Sequence, residues 1–409
     1  MKLPVNYEIA VTHIVTRRKQ TFVAALGVTI GVAIYLFMNS LSSGFTQYSR
    51  DMIFQTNAHI KIYKNDEVSV PLRQDSTVTT VILNPQITTR TKTLRDPNQL
   101  LRQVKAEPYI VQAIAQVDFA AFFNRGSTQL KGTGCGVNMT EYAALYDTRK
   151  YMVAGSVEDL QNDLNGVIIG SGIARKLNLG LNDNLTVSSS YNVTKVLHIV
   201  GIFSMGNSVI DDGRCYVNIS TAQQFLTEGP SYISTLYANT VNPDATDDAV
   251  KQLQTLTDYT VEDWKTTNAD VISGDRTRKT MMNAISLSIL IVAAFGIYNI
   301  LSATISQKIN DIAILKAVGF RGRDVIRIFV TEAIIMGMIG TVAGLCIGGI
   351  LIQILSGIYM GAPVGYFPVH FEFALFARSF VLGIVITFCA GYFPARKAAN
   401  VDPVSIFRK

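Results

Sequence analysis

The sequence predicts a membrane α-helical protein with four transmembrane helices and a large extracytoplasmic α+β domain inserted between helices 1 and 2. Charged residues make up only 16% of the 409 residues, against about 25% in soluble domains. They are missing from four stretches, at 21–49, 280–307, 333–371 and 379–395. Each stretch can supply the roughly 20 apolar residues that a helix needs to cross a bilayer, and buried helices of soluble proteins rarely run so long without charge.

The first 20 residues are expected to form a cytoplasmic amphipathic leader. Apolar side chains recur there every three or four positions, at Leu3, Tyr7, Ala10 and Ile14, as in a helix that lies along a membrane surface. The other interpretation is a frayed tail. The first span follows at 21–44, and no A-x-A cleavage pattern closes it, so we expect an anchor and not a cleaved signal peptide.

Residues 45–270 indicate a mixed α+β domain. Apolar and polar residues alternate around Ile60 and Ile62 and again at Leu185 and Val187, which is typical of strands with one buried face. The run at 196–203 predicts a strand that is buried on both faces. Helical apolar stripes precede Glu107-Pro108 and follow Asn242-Pro243-Asp244. The Thr-rich segment 64–98 fits either a hairpin arm or a disordered loop.

The remaining chain divides into three spans, at 280–306, 330–355 and 376–394. Lys and Arg are frequent in the leader, in the loop 307–329 and in the tail 395–409, but the short outer loop 356–375 contains none. Cations concentrate on the cytoplasmic side of membrane proteins. Both termini are therefore expected in the cytoplasm, and the net charge of +6 is explained without nucleic-acid binding.

The sequence offers no catalytic constellation and no metal site. Its four histidines are scattered, and Gly170-Ser171-Gly172 with Lys176 lacks the spacing of a phosphate-binding loop, so it predicts a strand end and a helix start. Cys135 and Cys215 lack metal-ligand spacing, and a disulfide between them is left open. We therefore expect a chain that is not an enzyme and holds no cofactor.

Small residues in the spans predict close helix packing. Gly27 and Gly31 in the first span, and Gly340, Gly344 and Gly348 in the third, are spaced by four and place a flat groove on one helix face. Whether the neighbouring helix belongs to the same chain is left open. No charged residue lies deep in any span, which argues against an ion-coupled carrier.

The cytoplasmic loop predicts a helix, a Gly319–Gly322 turn and a second helix that enters the membrane. Ile312, Ala313 and Leu315 form an apolar face beside charged residues. That face either docks a partner or packs against the spans. The candidate coupling residues are Asp311, Ile312, Leu315, Lys316, Gly319 and Arg321.

Long, adaptable apolar side chains gather at the outer ends of the first two spans. They predict a cavity for acyl chains, and ordinary lipid contact or helix packing is the alternative. The candidate cavity residues are Leu36, Phe37, Met38, Leu41, Met281, Met282 and Ile285.

Three runs carry a resemblance to a known family: IVAAFGIYNIL from Ile291, DIAILKAVGFRGRDV from Asp311, and the closing FPARKAANVDPVSIFRK. Together they resemble the permeases of the lipoprotein-releasing and macrolide-efflux ABC transporters, a superfamily that also includes cell-division permeases. The external run from Gly166 and the segment 261–264 look closest to the lipoprotein-releasing branch.

The resemblance implies a dimer, with a second copy or a paralogue, in a bacterial inner membrane. It implies a separate ATPase subunit that binds ATP and Mg²⁺, docks around 311–323, and drives release of a lipophilic, lipoprotein-like substrate from the outer leaflet.

One departure from the family concerns the hairpin that recruits a periplasmic carrier protein. Only Ser188–Lys195 separates the two strands here, so the hook is expected to be missing. The segment 64–98 could replace it, the chain could be the non-recruiting subunit, or it could be an efflux permease for small amphiphiles with an adaptor protein. A signalling permease that controls a cell-wall hydrolase and a membrane-tethered external enzyme are the further alternatives.

Overall fold

A computed structural model describes residues 5–16, 18–66, 92–361 and 365–400. It divides into two compact units, Met1–Ser49 with Ser273–Lys409, here called the membrane unit, and Arg50–Ile272, here called the sheet unit. Leu3, most of the Thr-rich segment and the end of the family-like closing run lie outside the described residues.

The chain forms fourteen α-helices and twelve strands over its described residues. The helices are α1 (Val5–Thr16), α2 (Arg18–Phe54), α3 (Pro97–Ala106), α4 (Met139–Tyr146), α5 (Val157–Asn162), α6 (Ser171–Leu177), α7 (Ser208–Asp211), α8 (Ile219–Phe225), α9 (Thr246–Leu256), α10 (Trp264–Thr267), α11 (Ala269–Gln307), α12 (Ile309–Ala317), α13 (Gly322–Ser356) and α14 (Phe373–Ala399). The strands are β1 (Ile60–Tyr63), β2 (Ile110–Arg125), β3 (Thr128–Val137), β4 (Met152–Gly155), β5 (Gly166–Gly170), β6 (Asn184–Ser189), β7 (Thr194–Phe203), β8 (Arg214–Val217), β9 (Thr235–Thr240), β10 (Thr260–Asp263), β11 (Tyr359–Gly361) and β12 (Gly365–Tyr366). A 3₁₀ turn covers Thr148–Tyr151.

The sheet unit is built on one ten-stranded sheet, ordered β10-β1-β9-β2-β3-β8-β5-β7-β4, with β6 paired to both β2 and β7. The pairings from β2 through β3, β8, β5, β7 and β6 return to β2, so six strands close on themselves. Alternate glycines of β3 face the rings of β2: a Cβ on Gly132 would meet Phe123, and one on Gly134 would meet Phe119. The Gly-x-Gly pattern of β3 therefore makes room for two core aromatics.

Several sequence predictions are confirmed in this unit. Ile60, Ile62, Leu185 and Val187 are fully buried in strands, and β5 gives way to α6 at Gly170-Ser171. The strand β7, predicted to be buried on both faces, is buried on both faces over only part of its length, because Val196 near its start is 61% exposed.

Cys135 and Cys215 are free and buried, so the open disulfide is absent. They lie on the parallel strands β3 and β8, where Cys215 pairs with Gly134 and Cys135 pairs with Tyr216. Their side chains therefore point to opposite faces of the sheet. Burial raises the pKa of Cys215 to about 12, which keeps this thiol protonated and unreactive.

Over the described residues, the membrane unit contains four helices long and apolar enough to cross a bilayer: α2, α11, α13 and α14. The prediction of four transmembrane helices with an α+β domain between the first and second is confirmed. Each predicted span lies within one of these helices, which extend beyond it at both ends. The bounds of the membrane-crossing parts stay predictions.

The glycine stripe of α13 packs against α2 of the same chain. A Cβ on Gly340 would lie 2.6 Å from the carbonyl oxygen of Ala25, and one on Gly344 would lie 2.7 Å from that of Thr29. Gly348 faces Leu36. Gly31 packs instead on α11, and no described residue lies within 4 Å of a Cβ on Gly27, so a role of Gly27 in helix packing stays a prediction.

The leader forms the helix α1, which rules out a frayed tail for its described part. Ala10 is fully buried, so this face of the predicted membrane-surface helix packs on protein.

Candidate functional site

The connector helix α12 presents one apolar face to the bundle and another to solvent. Ile312 is 1% exposed and Ala313 is fully buried, both within the core of the membrane unit. Ile314 is 52% exposed and Val318, which caps the helix, is 77% exposed. The burial of Ile312 and Ala313 agrees with the alternative that this face packs against the spans, because these side chains anchor α12 internally.

The other candidate coupling residues shape the exposed side and the turn. Asp311, Gly319 and Arg321 are exposed, and Leu315 is half-buried. Gly319 adopts a φ of +111°, which favours glycine and ends α12. The side chain of Asp324 accepts a hydrogen bond from the backbone N–H of Arg321 at 3.0 Å and caps the start of α13.

Lys316 belongs to the internal anchor. Its Nζ donates a hydrogen bond of 2.9 Å to the carbonyl oxygen of Ala399, at the C-terminal end of α14. Because the last carbonyls of a helix lack intrahelical partners, a cation there is stabilising. A displacement of α12 would therefore reach α14 directly.

The candidate cavity residues lie where α2 and α11 run side by side. Gly31 faces Leu290 and Ala293 at one level, and Thr46 bonds to Asp275 at another. Phe37, Met38 and Leu41 of α2, all half-buried, therefore lie at the levels of the three α11 candidates. Met281 and Ile285 are more than half exposed, and Met282 is half-buried.

Leu36 does not belong to this group. It is fully buried and faces Gly348 on α13. This position agrees with the alternative of helix packing, because its side chain fills the groove that the glycine stripe opens.

A polar clasp formed by Asp275, Arg278 and Thr46 was not predicted from the sequence. It lies at the outer ends of α2 and α11, meaning the ends next to residues 50–272 in the sequence. Asp275 accepts hydrogen bonds from Arg278 and from the Thr46 hydroxyl, the latter at 2.9 Å. The Arg278 guanidinium also lies 4.9 Å from the centre of the Phe45 ring. Burial alone would raise the pKa of Asp275, but the hydrogen bonds and the nearby Arg278 charge outweigh burial and lower this pKa.

A second missed contact joins the leader to the third long helix. His13 Nδ1 lies 3.3 Å from a carboxylate oxygen of Glu332, and both side chains are largely buried. The sequence showed His13 only as a lone histidine and Glu332 only as the charge before an apolar stretch. Residues 319 positions apart give no local signal of contact.

Two family models match most of this chain. The model of the MacB-like periplasmic core domain matches residues 21–256, and that of the FtsX-like permease C-terminal region matches residues 283–403.

Some similar proteins align over the whole chain, and others align over part of it. The transmembrane protein LolC of the lipoprotein-releasing system of Xylella fastidiosa (strain Temecula1) is 21% identical over 437 residues, covering 99% of each chain. An uncharacterized ABC transporter permease of Methanocaldococcus jannaschii is 22% identical, covering 100% of this chain and 98% of its own. The pyoverdine export ATP-binding/permease protein PvdT of Pseudomonas fluorescens (strain Pf-5) is 33% identical, covering 51% of this chain and 32% of its own.

Among solved structures, the periplasmic region of MacB from Actinobacillus actinomycetemcomitans aligns with a TM-score of 0.34 and 13% identity. The alignment covers 53% of this chain and 93% of that structure.

Proposed function

Since this chain belongs to the family of ABC transporter permeases with a MacB-like periplasmic core domain and an FtsX-like C-terminal region, we propose that it works with a separate ATPase subunit. That subunit would bind ATP and Mg²⁺ and dock on the exposed side of α12. A second permease copy or a paralogue would complete the transporter.

The observation that carries this proposal is the two-faced burial of α12. Ile314 and Val318 lie four positions apart on one helix face and are exposed, and the charged residues Asp311 and Arg321, which flank them in the sequence, are exposed as well. An apolar patch rimmed by charges is typical of a protein–protein contact. Because Ile312 and Lys316 fix the other side of α12 to the bundle, a partner that moves the exposed side would move the membrane helices.

Cross-linking tests the docking surface. A photoreactive amino acid at Val318 should cross-link to the ATPase subunit that copurifies with the permease. Val209 in the sheet unit is a matched control, because it is similarly exposed at 81%. Cross-linking from position 209 but not from 318 would contradict the proposal.

The topology of the proposed complex has both termini in the cytoplasm of a bacterium and the sheet unit outside. It is supported by the distribution of cations along the sequence. A membrane-impermeant thiol reagent applied to intact spheroplasts should label a cysteine at Val209 but not one at Arg321. Labelling of position 321 alone would overturn it.

For the substrate, we infer a lipoprotein-like amphiphile released from the outer leaflet. Relatives named LolC align over almost their full length, and long apolar side chains lie at matching levels of α2 and α11. Mass spectrometry of the purified complex should detect acylated protein. The triple change of Phe37, Met38 and Ile285 to Asn should remove it.

The matched control for this triple change lies on α13. Ile339, Val342 and Ile347 are each about half exposed. Changing all three to Asn introduces the same number of polar side chains on another helix. Equal loss of substrate from both triple variants would count against the α2–α11 site.

Export of small amphiphiles is the second candidate function. Relatives named for pyoverdine export support it, as does the short turn of four residues between β6 and β7, which leaves no room there for a long carrier-binding hairpin. Small amphiphiles in place of acylated proteins in the purified complex would favour this function.

A further inference from the structure

An open groove lies between α2 and α14 in the membrane unit. It has a volume of about 360 Å³ and is lined by Tyr35, Ala377, Arg378, Val381 and Leu382. The four α14 residues form two neighbouring stripes with a spacing of four positions. The groove contains none of the seven residues predicted for the transported substrate, so it is a separate site.

Among the described residues that line this groove, Arg378 alone is charged. It lies five residues after the start of α14, which is about 7–8 Å along the helix axis. His370, just before α14, accepts a hydrogen bond from Ser40 of α2 through its carbonyl oxygen at 2.7 Å. This contact places the start of α14 beside the outer half of α2.

Arg378 is exposed, and none of the ion pairs within the described part of the chain includes it. An arginine on a membrane helix is costly unless its guanidinium reaches an anion or the interface. Arginine also binds phosphate oxygens in a bidentate manner. The charge therefore favours an anionic group at the outer end of the groove.

The rest of the groove favours an acyl chain. Ala377, Val381 and Leu382 present aliphatic surface, and Val381 is 58% exposed. A space of this size falls within the range of small-ligand sites. Tyr35 adds a hydroxyl on the α2 side, which can donate a hydrogen bond to a lipid oxygen.

We propose that this groove binds an acidic phospholipid from the outer half of the bilayer. The phosphate contacts the Arg378 guanidinium, the Tyr35 hydroxyl donates to a headgroup or ester oxygen, and one acyl chain lies along Val381 and Leu382. This site is independent of the transported substrate and of the docking surface on α12.

The test uses the full chain, purified with its partner subunits and returned to lipid mixtures containing phosphatidylglycerol and phosphatidylcholine. Native mass spectrometry then counts the lipids that each complex retains. We expect the parent protein to retain phosphatidylglycerol in preference to phosphatidylcholine. Arg378→Gln should lower the retained phosphatidylglycerol by about fivefold, the usual effect of one cation on binding to anionic lipid, and Arg378→Lys should restore part of it.

Two further variants distinguish lipid binding in the groove from nonspecific attraction of anionic lipid to cations on the protein surface. Val381→Trp fills the groove without changing any charge and should also release the lipid. Arg276→Gln removes another exposed cation, on α11 and outside the groove, and should retain the lipid as the parent does. Unchanged retention in both Arg378→Gln and Val381→Trp would overturn the proposal, as would an equal loss in Arg276→Gln or equal retention of the two lipids by the parent.

Discussion

Ile312 and Ile314 are two positions apart on α12, but Ile312 is 1% exposed and Ile314 is 52% exposed. The short helix therefore has a buried side that packs in the bundle and an exposed side that can contact a partner. Residues on the two sides should respond differently to the same substitution, because one side stabilises the fold and the other contacts a partner.

The buried side of α12 should determine the stability of the complex to unfolding. Replacing Lys316 by Met removes the hydrogen bond to Ala399 and leaves that carbonyl without its cation, so we expect the complex to lose about 1 kcal/mol of stability. Arg323→Met is the control, since it removes an exposed cation from the start of α13. Thermal unfolding in detergent should show a lower midpoint for Lys316→Met, and equal midpoints for the two variants would contradict the role of this bond.

The contact between α2 and α13 should tolerate no added methyl group at its centre. An ideal Cβ on Gly344 would lie 2.7 Å from the Thr29 carbonyl oxygen and 3.0 Å from Val32. Overpacking of this kind costs about 1–3 kcal/mol, so Gly344→Ala should lower the unfolding midpoint. Gly27→Ala, which meets nothing within 4 Å, should leave it unchanged or raise it, and the reverse order would show that the helices pack differently.

Much of this packing could be predicted from the sequence, but the partners could not. The spacing of Gly340, Gly344 and Gly348 identified a helix face, because small residues at every fourth position lie in one row. Gly27 and Gly31 show the same spacing on α2, and the pattern cannot tell that only Gly31 meets a neighbour. The partner depends on the arrangement of all four long helices.

The face of α12 could not be assigned for a related reason. Ile312 and Ile314 are equally apolar, and apolar residues occur on both sides of this nine-residue helix, so the sequence alone does not identify the buried side. The clasp joins Thr46 of α2 to Asp275 and Arg278 of α11, which are more than 220 positions away in the sequence, so only the pair spaced by three on α11 was visible locally.

The sheet unit should lose stability in mild acid because of His59. Its Nδ1 accepts a hydrogen bond from the backbone N–H of Thr240 at 3.0 Å. Burial lowers the pKa of His59 below 6.5, and this effect outweighs hydrogen bonding with the Thr240 backbone, which by itself would raise the pKa. The unfolded chain therefore takes up the proton first as pH falls below about 6.5. The stability contributed by neutral His59 is present above that pH and is lost between it and the lower pKa of the folded state.

The single tryptophan reports on this region. The backbone N–H of Trp264 donates to the carbonyl oxygen of His59 at 2.9 Å, so tryptophan fluorescence during urea unfolding follows the same contact. We expect a lower midpoint at pH 5.5 than at pH 8 and a smaller difference in His59→Asn. The variant His198→Asn, which removes another histidine of the same unit, should retain the contribution of His59. An undiminished pH difference in His59→Asn would rule out His59 as its source.

Docking of the ATPase on α12 is tested most directly by ATP hydrolysis of the purified complex after a charge is placed on the exposed side of this helix. Val318→Asp puts a carboxylate into the proposed contact, where an unpaired charge costs several kcal/mol, so hydrolysis stimulated by substrate should fall by more than about tenfold. Val209→Asp places the same charge on the sheet unit and should leave hydrolysis unchanged. Copurification of the ATPase and full stimulated hydrolysis with Val318→Asp, from a protein that inserts as the parent does, would contradict docking on α12.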